Sequence, residues 1–346
     1  MSIRGYQPGD ETSLRRLFGE VFQKEVSKEY WDWKYKQNPH YTKPWCFVYE
    51  HKGKIIGHVG LWVFDAYVCG EKSRIASRID TMVSPEARGK GVYKQLNIAV
   101  FKAAEQEGID YLFGFPASEA RQGLLKHTPA LHIGDVRKYR KLNHPVSLLS
   151  CFHPKLRHVS KVSKLGNRVF KQRKQRSPSY HFSIEEVFHC NSSFDVLAEN
   201  QKTLSPIMVK RDSSFLNWRY FQHPDKRYRI FVIRKNSRLK GYVVVRESLV
   251  PYKNGIAKMG YLVDWLSEDN EETCTELFLL AKQKLSHCDL IQTWGNAANE
   301  TSQKSLGKIG MKPKDSVPLL IHVLQEDVKK PEMADWWLTQ GDTDSF

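Results

Sequence analysis

The chain of 346 residues contains the same pattern twice, and this internal repeat restricts its fold more than any other feature. Residues 30–39, YWDWKYKQNP, align with residues 215–224, FLNWRYFQHP, at an offset of 185, with Trp, a basic residue, Tyr, Gln and Pro in common. At an offset of 184, Asp80 matches Asp264. An offset that stays almost constant over separate segments predicts two copies of one structural unit.

Each copy has the same predicted order of elements. A helix is followed by the aromatic helix that ends at Pro, and then by a hairpin, a strand, a helix and a strand. This order is typical of an α/β protein with a mixed sheet and helices on both faces, and the repeated aromatic residues are expected to pack in the core. We predict a first lobe at residues 1–145, a connector at 146–183 and a second lobe at 184–346.

The composition favours a protein with packed cores that stays in the cytoplasm. Hydrophobic residues make up 40% of the chain, yet no apolar stretch approaches the ~20 residues of a membrane span. The N-terminal residues lack the apolar segment of a secretory signal peptide. The six cysteines show neither C-x-x-C pairs nor a histidine spacing typical of zinc, so we expect free thiols and no bound metal.

Positive charge is concentrated in and around the predicted connector. The formal net charge is +16, and thirteen Lys and Arg residues but no acidic residue lie between Asp135 and Glu185. Apolar residues recur there every three or four positions, which predicts a basic amphipathic helix within residues 137–176. Three interpretations stay open: a helix that docks between the lobes, a helix on an anionic membrane surface and, least favoured, a nucleic-acid site.

Residues 79–93, IDTMVSPEARGKGVY, carry the strongest indication of function. An apolar strand ends at a proline, a glycine-containing turn follows, and an amphipathic helix begins at once. The first N–H groups of a helix have no intrahelical acceptor, and the helix dipole favours an anion there. Gly89 and Gly91 let the backbone approach a phosphate closely, while Arg88 and Lys90 add positive charge. The segment therefore predicts a phosphate-binding turn.

The spacing of this turn distinguishes it from other phosphate loops. A dinucleotide-binding G-x-G-x-x-G sequence would need a third glycine where Lys94 stands, and the nucleotide-binding sequence G-x-x-x-x-G-K-[ST] is absent. The segment resembles instead the acyl-CoA loop [QR]-x-x-G-x-[GA] of the GNAT acetyltransferase superfamily, which it matches at Arg88 and Gly91. Tyr93 replaces the final Gly or Ala of that pattern.

The second copy differs at this place. After Asp264 the sequence is WLSEDNEE, which has four carboxylates in its last five residues and neither Gly nor Arg. These charges would repel a pyrophosphate. The chain therefore resembles tandem GNAT N-acetyltransferases over most of its length, with two tandem GNAT folds, and we expect only the first lobe to bind CoA.

The resemblance implies a division of roles around the loop of the first lobe. Acetyl-CoA would be the co-substrate, with its pantetheine arm on the backbone of residues 82–84 and its pyrophosphate on the main-chain N–H groups of residues 88–93. Asp80 would be the base for the attacking amine, or alternatively an anchor for a turn or an arginine. The donor-binding residues that the resemblance implies are Met82, Val83, Ser84, Arg88, Gly89, Lys90, Gly91, Val92 and Tyr93.

Three further expectations concern single residues. Strand alternation predicts that Asp80 and Met82 share one face of their strand and that Ile79 lies on the other. Near the C-terminus, Asp342 and Asp344 are expected to be exposed to solvent. No general acid is assigned, because the residues that follow the second strand contain no Tyr before position 131.

The predicted function is the transfer of an acetyl group from acetyl-CoA to a primary amine, a small molecule, by direct attack in a ternary complex. An amino sugar in cell-surface polysaccharide assembly is the acceptor that the resemblance suggests. Two alternatives stay open: an aminoacyl transferase similar to the FemABX group, and a non-catalytic module that binds a membrane or nucleic acid through the connector. An intact loop beside a degenerate copy favours the acetyltransferase.

Overall fold

The computed structural model describes residues 2–41, 43–152 and 181–345, of which those up to 152 form the first half and the others the second half. The strands of the first half are β1 (Ser2–Gly5), β2 (Cys46–His51), β3 (Lys54–Val68), β4 (Glu71–Val83), β5 (Tyr111–Gly114) and β6 (Leu131–Leu142). Its helices are α1 (Glu11–Phe22), α2 (Lys28–Lys36), α3 (Val92–Gln106), α4 (Ser118–His127) and α5 (Pro145–Phe152).

The second half repeats this succession of elements. Its strands are β7 (Ser183–Val187), β8 (Ile207–Val209), β9 (Tyr228–Lys235), β10 (Arg238–Tyr252), β11 (Gly255–Ser267), β12 (Leu290–Trp294), β13 (Lys312–Val323) and β14 (Trp336–Trp337). Its helices are α6 (Ser192–Asn200), α7 (Ser213–Leu216), which continues as a π turn at Asn217–Phe221, α8 (Glu271–Lys284) and α9 (Glu300–Lys308).

The described strands form one mixed sheet in which the two halves exchange a strand. The main order is β1-β2-β3-β4-β5-β13-β6-β12-β11-β10-β9-β7, and β8 pairs with both β3 and β14. Strand β13 of the second half pairs with β5 of the first, while β6 of the first half pairs with β12 of the second. The last strand before the predicted lobe boundary at residue 145 is β6. In the sheet, this strand lies among the strands of the second half.

The long hairpin of each half has the same register. Leu61 pairs with Arg78 and Val245 pairs with Leu262, at the offset of 184 found in the sequence, and a β-bulge follows within a few residues of this pair in each hairpin. Strand β4 then pairs in parallel with β5 at three positions, as β11 does with β12. The internal repeat of the sequence is thus a repeat of local structure.

The repeated aromatic residues pack where the two halves meet. Trp33 Nε1 donates to the Trp218 carbonyl oxygen at 2.8 Å, and Trp218 Nε1 donates to the Trp33 carbonyl oxygen at 2.9 Å. Their rings stack with centroids 5.3 Å apart, and both residues are buried. Such reciprocal bonds between equivalent residues indicate an approximate twofold relation between the halves. The expectation that these residues belong to the core is confirmed.

The basic connector is described only at its ends. Helix α5 covers its beginning, and β7 starts at Ser183. Most of the predicted basic amphipathic helix lies outside the described residues, so the three interpretations of its role stay predictions. Within residues 2–152 and 181–345, residue 42 apart, no helix is long and apolar enough to span a membrane.

Candidate active site

A cleft of about 930 Å³ opens where β4 and β5 separate. Parallel pairing of the two strands ends at Ser77 and Phe113, and β4 continues beyond that point to Val83. The cleft extends from there to the turn before α3, with α1 and α4 contributing to its walls. Backbone groups of β4 that no longer pair with β5 can bind an extended ligand as an added strand would.

The turn before α3, residues 88–93, has the geometry of an anion site, and we call it the donor loop. Gly89 and Gly91 have φ of 78° and 77°, a left-handed conformation that favours glycine. Helix α3 begins with no side-chain cap and no acidic residue in its first turn. In the part of the chain that the structure describes, the backbone N–H groups of residues 89 and 91–94 find no acceptor. The loop therefore presents several amides and a helix N-terminus to one anion.

The side chains of the donor loop complete this site. Arg88 lines the cleft and Lys90 is exposed beside it, so both can add positive charge at the amides. Val92 is buried under the loop, as the amphipathic pattern of α3 requires. Tyr93 also lines the cleft, and a Cβ placed at Gly123 would lie 3.8 Å from its ring. Tyr93 thus occupies the space between α3 and α4.

Only one of the three residues predicted to hold the pantetheine arm lines the cleft. That residue is Val83, whereas Met82 is buried in the main core. The Ser84 side chain is buried as well, and its backbone N–H donates to the Ile56 carbonyl oxygen at 2.9 Å. The Ser84 carbonyl oxygen accepts from the Ala87 N–H at 2.8 Å. The role of residues 82–84 in donor binding stays a prediction, with Val83 as the best-placed member.

A β-bulge in β4 places Asp80 at the cleft. His58 pairs with Met82 and Gly60 pairs with Ile79, so two residues of β4 face one residue of β3, and Asp80 has φ of 43°. His58 Nδ1 contacts the Asp80 carbonyl oxygen at 2.8 Å. The expectation that Ile79 lies on the face opposite Met82 is wrong, because the bulge adds a residue between them and both pack in the main core.

The Asp80 carboxylate is held by two buried donors. Its Oδ2 accepts from the Tyr35 hydroxyl at 2.6 Å and lies 2.7 Å from Lys34 Nζ. Gly60 provides the space for Tyr35, since a Cβ there would lie 2.9 Å from the hydroxyl. Lys34 Nζ is also 2.7 Å from Asp344 Oδ2. Burial lowers the pKa of Lys34, but the charges of Asp344 and Asp80 outweigh burial and raise that pKa above its usual range. Lys34 is thus a fixed cation between two carboxylates.

The C-terminal tail reaches the cleft, which sequence reasoning missed. Asp344 and Ser345 line the cleft. The expectation that both aspartates of the tail are solvent-exposed is wrong, because each pairs with a buried cation: Asp344 with Lys34, and Asp342 with Arg211 at 2.7 Å. Each of the two aromatic helices has a basic residue at the same position, Lys34 and Arg219. This recurrence is the sequence signal that could have indicated a cation close to the tail.

The second half has a different helix start at the equivalent position. The Asn270 side chain caps α8 by accepting from the Thr273 N–H at 2.8 Å. Glu271 and Glu272 occupy the first turn of α8, and Lys308 pairs with Glu271. A protein side chain therefore already caps this helix N-terminus, and its acidic residues repel an anion.

One group of potential metal ligands lies outside the cleft. Ligand atoms of Glu247, His287 and Cys288 lie within 4.8 Å of one another. The Glu247 carboxylate, however, is 2.9 Å from His287 Nε2 and 2.6 Å from Lys258 Nζ. The arrangement is that of an ion-pair cluster, since a lysine occupies the carboxylate that a metal ion would need.

Comparisons with known proteins agree with this geometry. Residues 2–122 match a family model described as Acetyltransferase (GNAT) domain, a range that contains the donor loop and Asp80. A solved GCN5-related N-acetyltransferase from Anabaena variabilis ATCC 29413 is 12% identical, with a TM-score of 0.68 over 94% of this chain and 73% of that one. No curated protein sequence matches the chain.

Two other solved structures extend the comparison. A probable N-acyltransferase from Enterococcus faecalis V583, a conserved protein of unknown function, is 11% identical, with a TM-score of 0.63 over 93% of this chain and 72% of that one. N-myristoyltransferase from Saccharomyces cerevisiae with bound myristoyl-CoA is 10% identical, with a TM-score of 0.58 over 92% of this chain and 82% of that one. The predicted fold class is confirmed: the chain has a mixed α/β fold of GNAT type, and its residues 2–122 match the model of a GNAT acetyltransferase domain.

Proposed function

We propose that this protein is an acyl-CoA-dependent N-acyltransferase that binds its donor in the first half only. The observation that carries the proposal is the donor loop, which brings several backbone N–H groups without acceptors, the N-terminus of α3 and two basic side chains together at the cleft. Such a site suits the pyrophosphate of CoA. Acetyl-CoA is the simplest donor for this geometry.

The acyl group is transferred by direct attack of a primary amine on the thioester carbonyl carbon. The C–N bond forms, the C–S bond breaks, CoA leaves as the thiolate, and the proton that the attacking amine nitrogen loses must go to a base. In the proposed mechanism that base is Asp80, whose Oδ2 is engaged by Tyr35 and Lys34, whereas nothing in the described chain donates to Oδ1. Oδ1 is therefore the oxygen that accepts a proton from the amine.

The acceptor enters from the side of α1. Phe18 and Phe22 line the cleft there with ring centroids 4.7 Å apart, and Phe22 is 44% exposed. A partly exposed aromatic pair in a cleft that also contains carboxylates suits a ligand with an apolar ring face and a cationic amine. This combination supports an amino sugar as the first acceptor class to test, in keeping with a role in polysaccharide assembly.

The test is calorimetric titration of the full chain with CoA and with acetyl-CoA, followed by a thiol-release screen of amino sugars and other primary amines. We expect about one donor site per chain. In the screen, Asp80→Asn should lower kcat by about a hundredfold or more and leave the affinity for CoA unchanged. A folded protein that binds neither CoA nor acetyl-CoA overturns the proposal, and two equal sites overturn the assignment to the first half.

A further inference from the structure

Arg78 lines the cleft at the point where β4 and β5 separate. Parallel pairing between β4 and β5 ends at Ser77 and Phe113, and Arg78 is the next residue of β4. A Cβ placed at Gly114, the next residue of β5, would lie 3.8 Å from the Arg78 Cβ, so the two positions face each other where the strands begin to part. An extended ligand that enters from the donor loop therefore ends at Arg78.

The Arg78 side chain lies on the donor side of the sheet. Its guanidinium carbon is 5.7 Å from the ring centroid of Phe101 in α3, the helix whose N-terminus forms the donor loop. Asp80 faces the other way, toward Tyr35 of α2. An anion that binds the guanidinium is consequently part of the donor, because the acceptor approaches from the Asp80 side.

The guanidinium has few protein partners. Its Nη1 is enclosed and without a hydrogen bond, and Nη2 is 3.4 Å from the Thr81 hydroxyl. Burial lowers the pKa of Arg78, an effect that the nearby Tyr93 hydroxyl partly offsets. Burial, together with the charge of Arg78, lowers the pKa of His322 to about 3, so this neighbour is neutral and supplies no negative charge. Across residues 2–41, 43–152 and 181–345, no carboxylate forms an ion pair with Arg78.

The second half shows what this position needs for folding alone. Leu262 occupies the equivalent place, opposite Val245 as Arg78 is opposite Leu61, and it is 1% exposed. A leucine is thus sufficient for the sheet and its bulge. Arg78 is partly buried, its Nη1 is enclosed without a partner, and the equivalent place in the second half holds no charge, so this arginine indicates a ligand anion in the cleft.

The geometry points to a carboxylate at the far end of the donor's acyl group, bound by Arg78. The preferred donor is then the CoA thioester of a short dicarboxylic acid, with succinyl-CoA as the representative to test, rather than acetyl-CoA. The five residue steps of β4 from Val83 to Arg78 span roughly 16 Å at about 3.3 Å per residue, a length comparable to an extended pantetheine arm. The inference rests on the proposed function, because it assumes that CoA occupies the donor loop.

The experiment compares succinyl-CoA with butyryl-CoA, which has the same number of acyl carbons and no terminal carboxylate. Calorimetric titration of the full chain should give about tenfold to a hundredfold tighter binding of succinyl-CoA, the range expected for charge-assisted hydrogen bonds. In Arg78→Leu, which copies the second half, the preference should disappear while the affinity for CoA itself stays within about twofold. Arg78→Lys should keep part of the preference, because a charge remains without the planar pair of donors.

Each outcome has one meaning. Equal affinity of the unaltered chain for succinyl-CoA and butyryl-CoA overturns the inference, even if Arg78→Leu fails to fold. A loss of kcat in Arg78→Leu that is the same for both donors also overturns it, since Arg78 would then serve the leaving thiolate. Absence of binding for CoA itself overturns the proposed function instead, so the two failures are distinguishable.

Discussion

The helices that follow the long hairpin of each half begin in opposite surroundings. Helix α3 starts after Gly91 with no side-chain cap and with basic residues beside its free N–H groups. Helix α8 starts after Asn270, which caps it, and has Glu271 and Glu272 in its first turn. The backbone scaffold is the same, so the difference lies in which group partners the N–H groups at the start of the helix. In the first half these N–H groups are left for a ligand, whereas in the second half a protein side chain caps the helix.

The carboxylates next to the two bulges differ in a similar way. Asp80 borders the open cleft, whereas Asp264 is fully buried. The tail closes the second site, since a Cβ placed at Gly341 would lie 2.2 Å from the Tyr220 hydroxyl and 3.2 Å from the Asp264 side chain. A few residues further on, the same tail brings Asp344 to the first site. One segment therefore fills the degenerate site and extends the open one.

The strongest test of this difference concerns the cation that lies between the two carboxylates of each cluster. Arg211 lies between Asp264 and Asp342, and Lys34 lies between Asp80 and Asp344. Arg211→Met leaves two fully buried carboxylates without a counter-charge and should lower the free energy of unfolding by about 3–5 kcal/mol. Lys34→Met should cost less, because water in the cleft can reach its two carboxylates. Urea unfolding of both variants at pH 7 measures the difference.

The control is a measurement at lower pH, where the carboxylates that have lost their cation become protonated. Lowering the pH toward 5 should restore part of the stability of Arg211→Met relative to the unaltered chain, because neutral carboxyls need no counter-charge. Equal destabilisation by the two substitutions would contradict the conclusion that one site is closed and the other open.

The second test changes the donor loop. Gly91→Glu puts a carboxylate where the pyrophosphate binds and should weaken the binding of CoA by at least about a hundredfold. Gly91→Gln is the matched control, because both side chains bear the same cost, about 1–2 kcal/mol, at a φ of 77°. Calorimetric titration of the two folded variants isolates the effect of the charge. Similar affinities in both would show that the loop does not hold the phosphates.

The third test concerns Lys226, which meets the tail from the second half. Its Nζ is 3.4 Å from the Asp344 carbonyl oxygen. Burial, and then the positive charge of Arg219, lowers the pKa of Lys226 to about 7. Further charges act on it from Arg246 and Lys34, which lower its pKa, and from Asp344, which raises it.

The sign of the pH effect follows from the lowered pKa. Between pH 7 and the unfolded value of 10.5, the unfolded chain binds more protons at Lys226 than the folded one does, so stability rises with pH in that window. The slope from this group is at most about 1.4 kcal/mol per pH unit. Lys226→Met should remove it, which urea unfolding of both proteins at pH 7 and pH 9 would show. Parallel pH dependence in the two proteins would mean that Lys226 stays charged.

Sequence patterns were sufficient to predict the turn of the donor loop and the repeat. The two glycines, the basic residues and the apolar spacing of α3 all act within about 20 residues, so the turn and its helix could be predicted. The exchange of β6 and β13 depends on pairing between strands about 180 residues apart, and neither strand carries a local signal for its partner.

Asp80 shows where pattern reasoning fails within a strand. Alternation assigns faces correctly only while the register is regular, and the bulge at this residue shifts it. The tail was misjudged for a related reason. An acidic terminus is normally solvated, and it is the buried cations Arg211 and Lys34 that explain why Asp342 is buried and why Asp344 is held at the cleft.

The smallest effect is expected in a test of the N-terminus of α8. The test asks whether the cap or the acidic residues prevent an anion from binding there. Asn270→Ala removes the bond to the Thr273 N–H and should lower the free energy of unfolding by about 1 kcal/mol. The stoichiometry of CoA binding should stay at about one per chain, because Glu271 and Glu272 still repel an anion at this place. Adding Glu271→Gln and Glu272→Gln removes the repulsion but provides neither the glycines nor the basic residues of the donor loop. A second CoA site in that triple variant would mean that the cap and the acidic residues, and not the glycines and basic residues of the donor loop, separate the two halves.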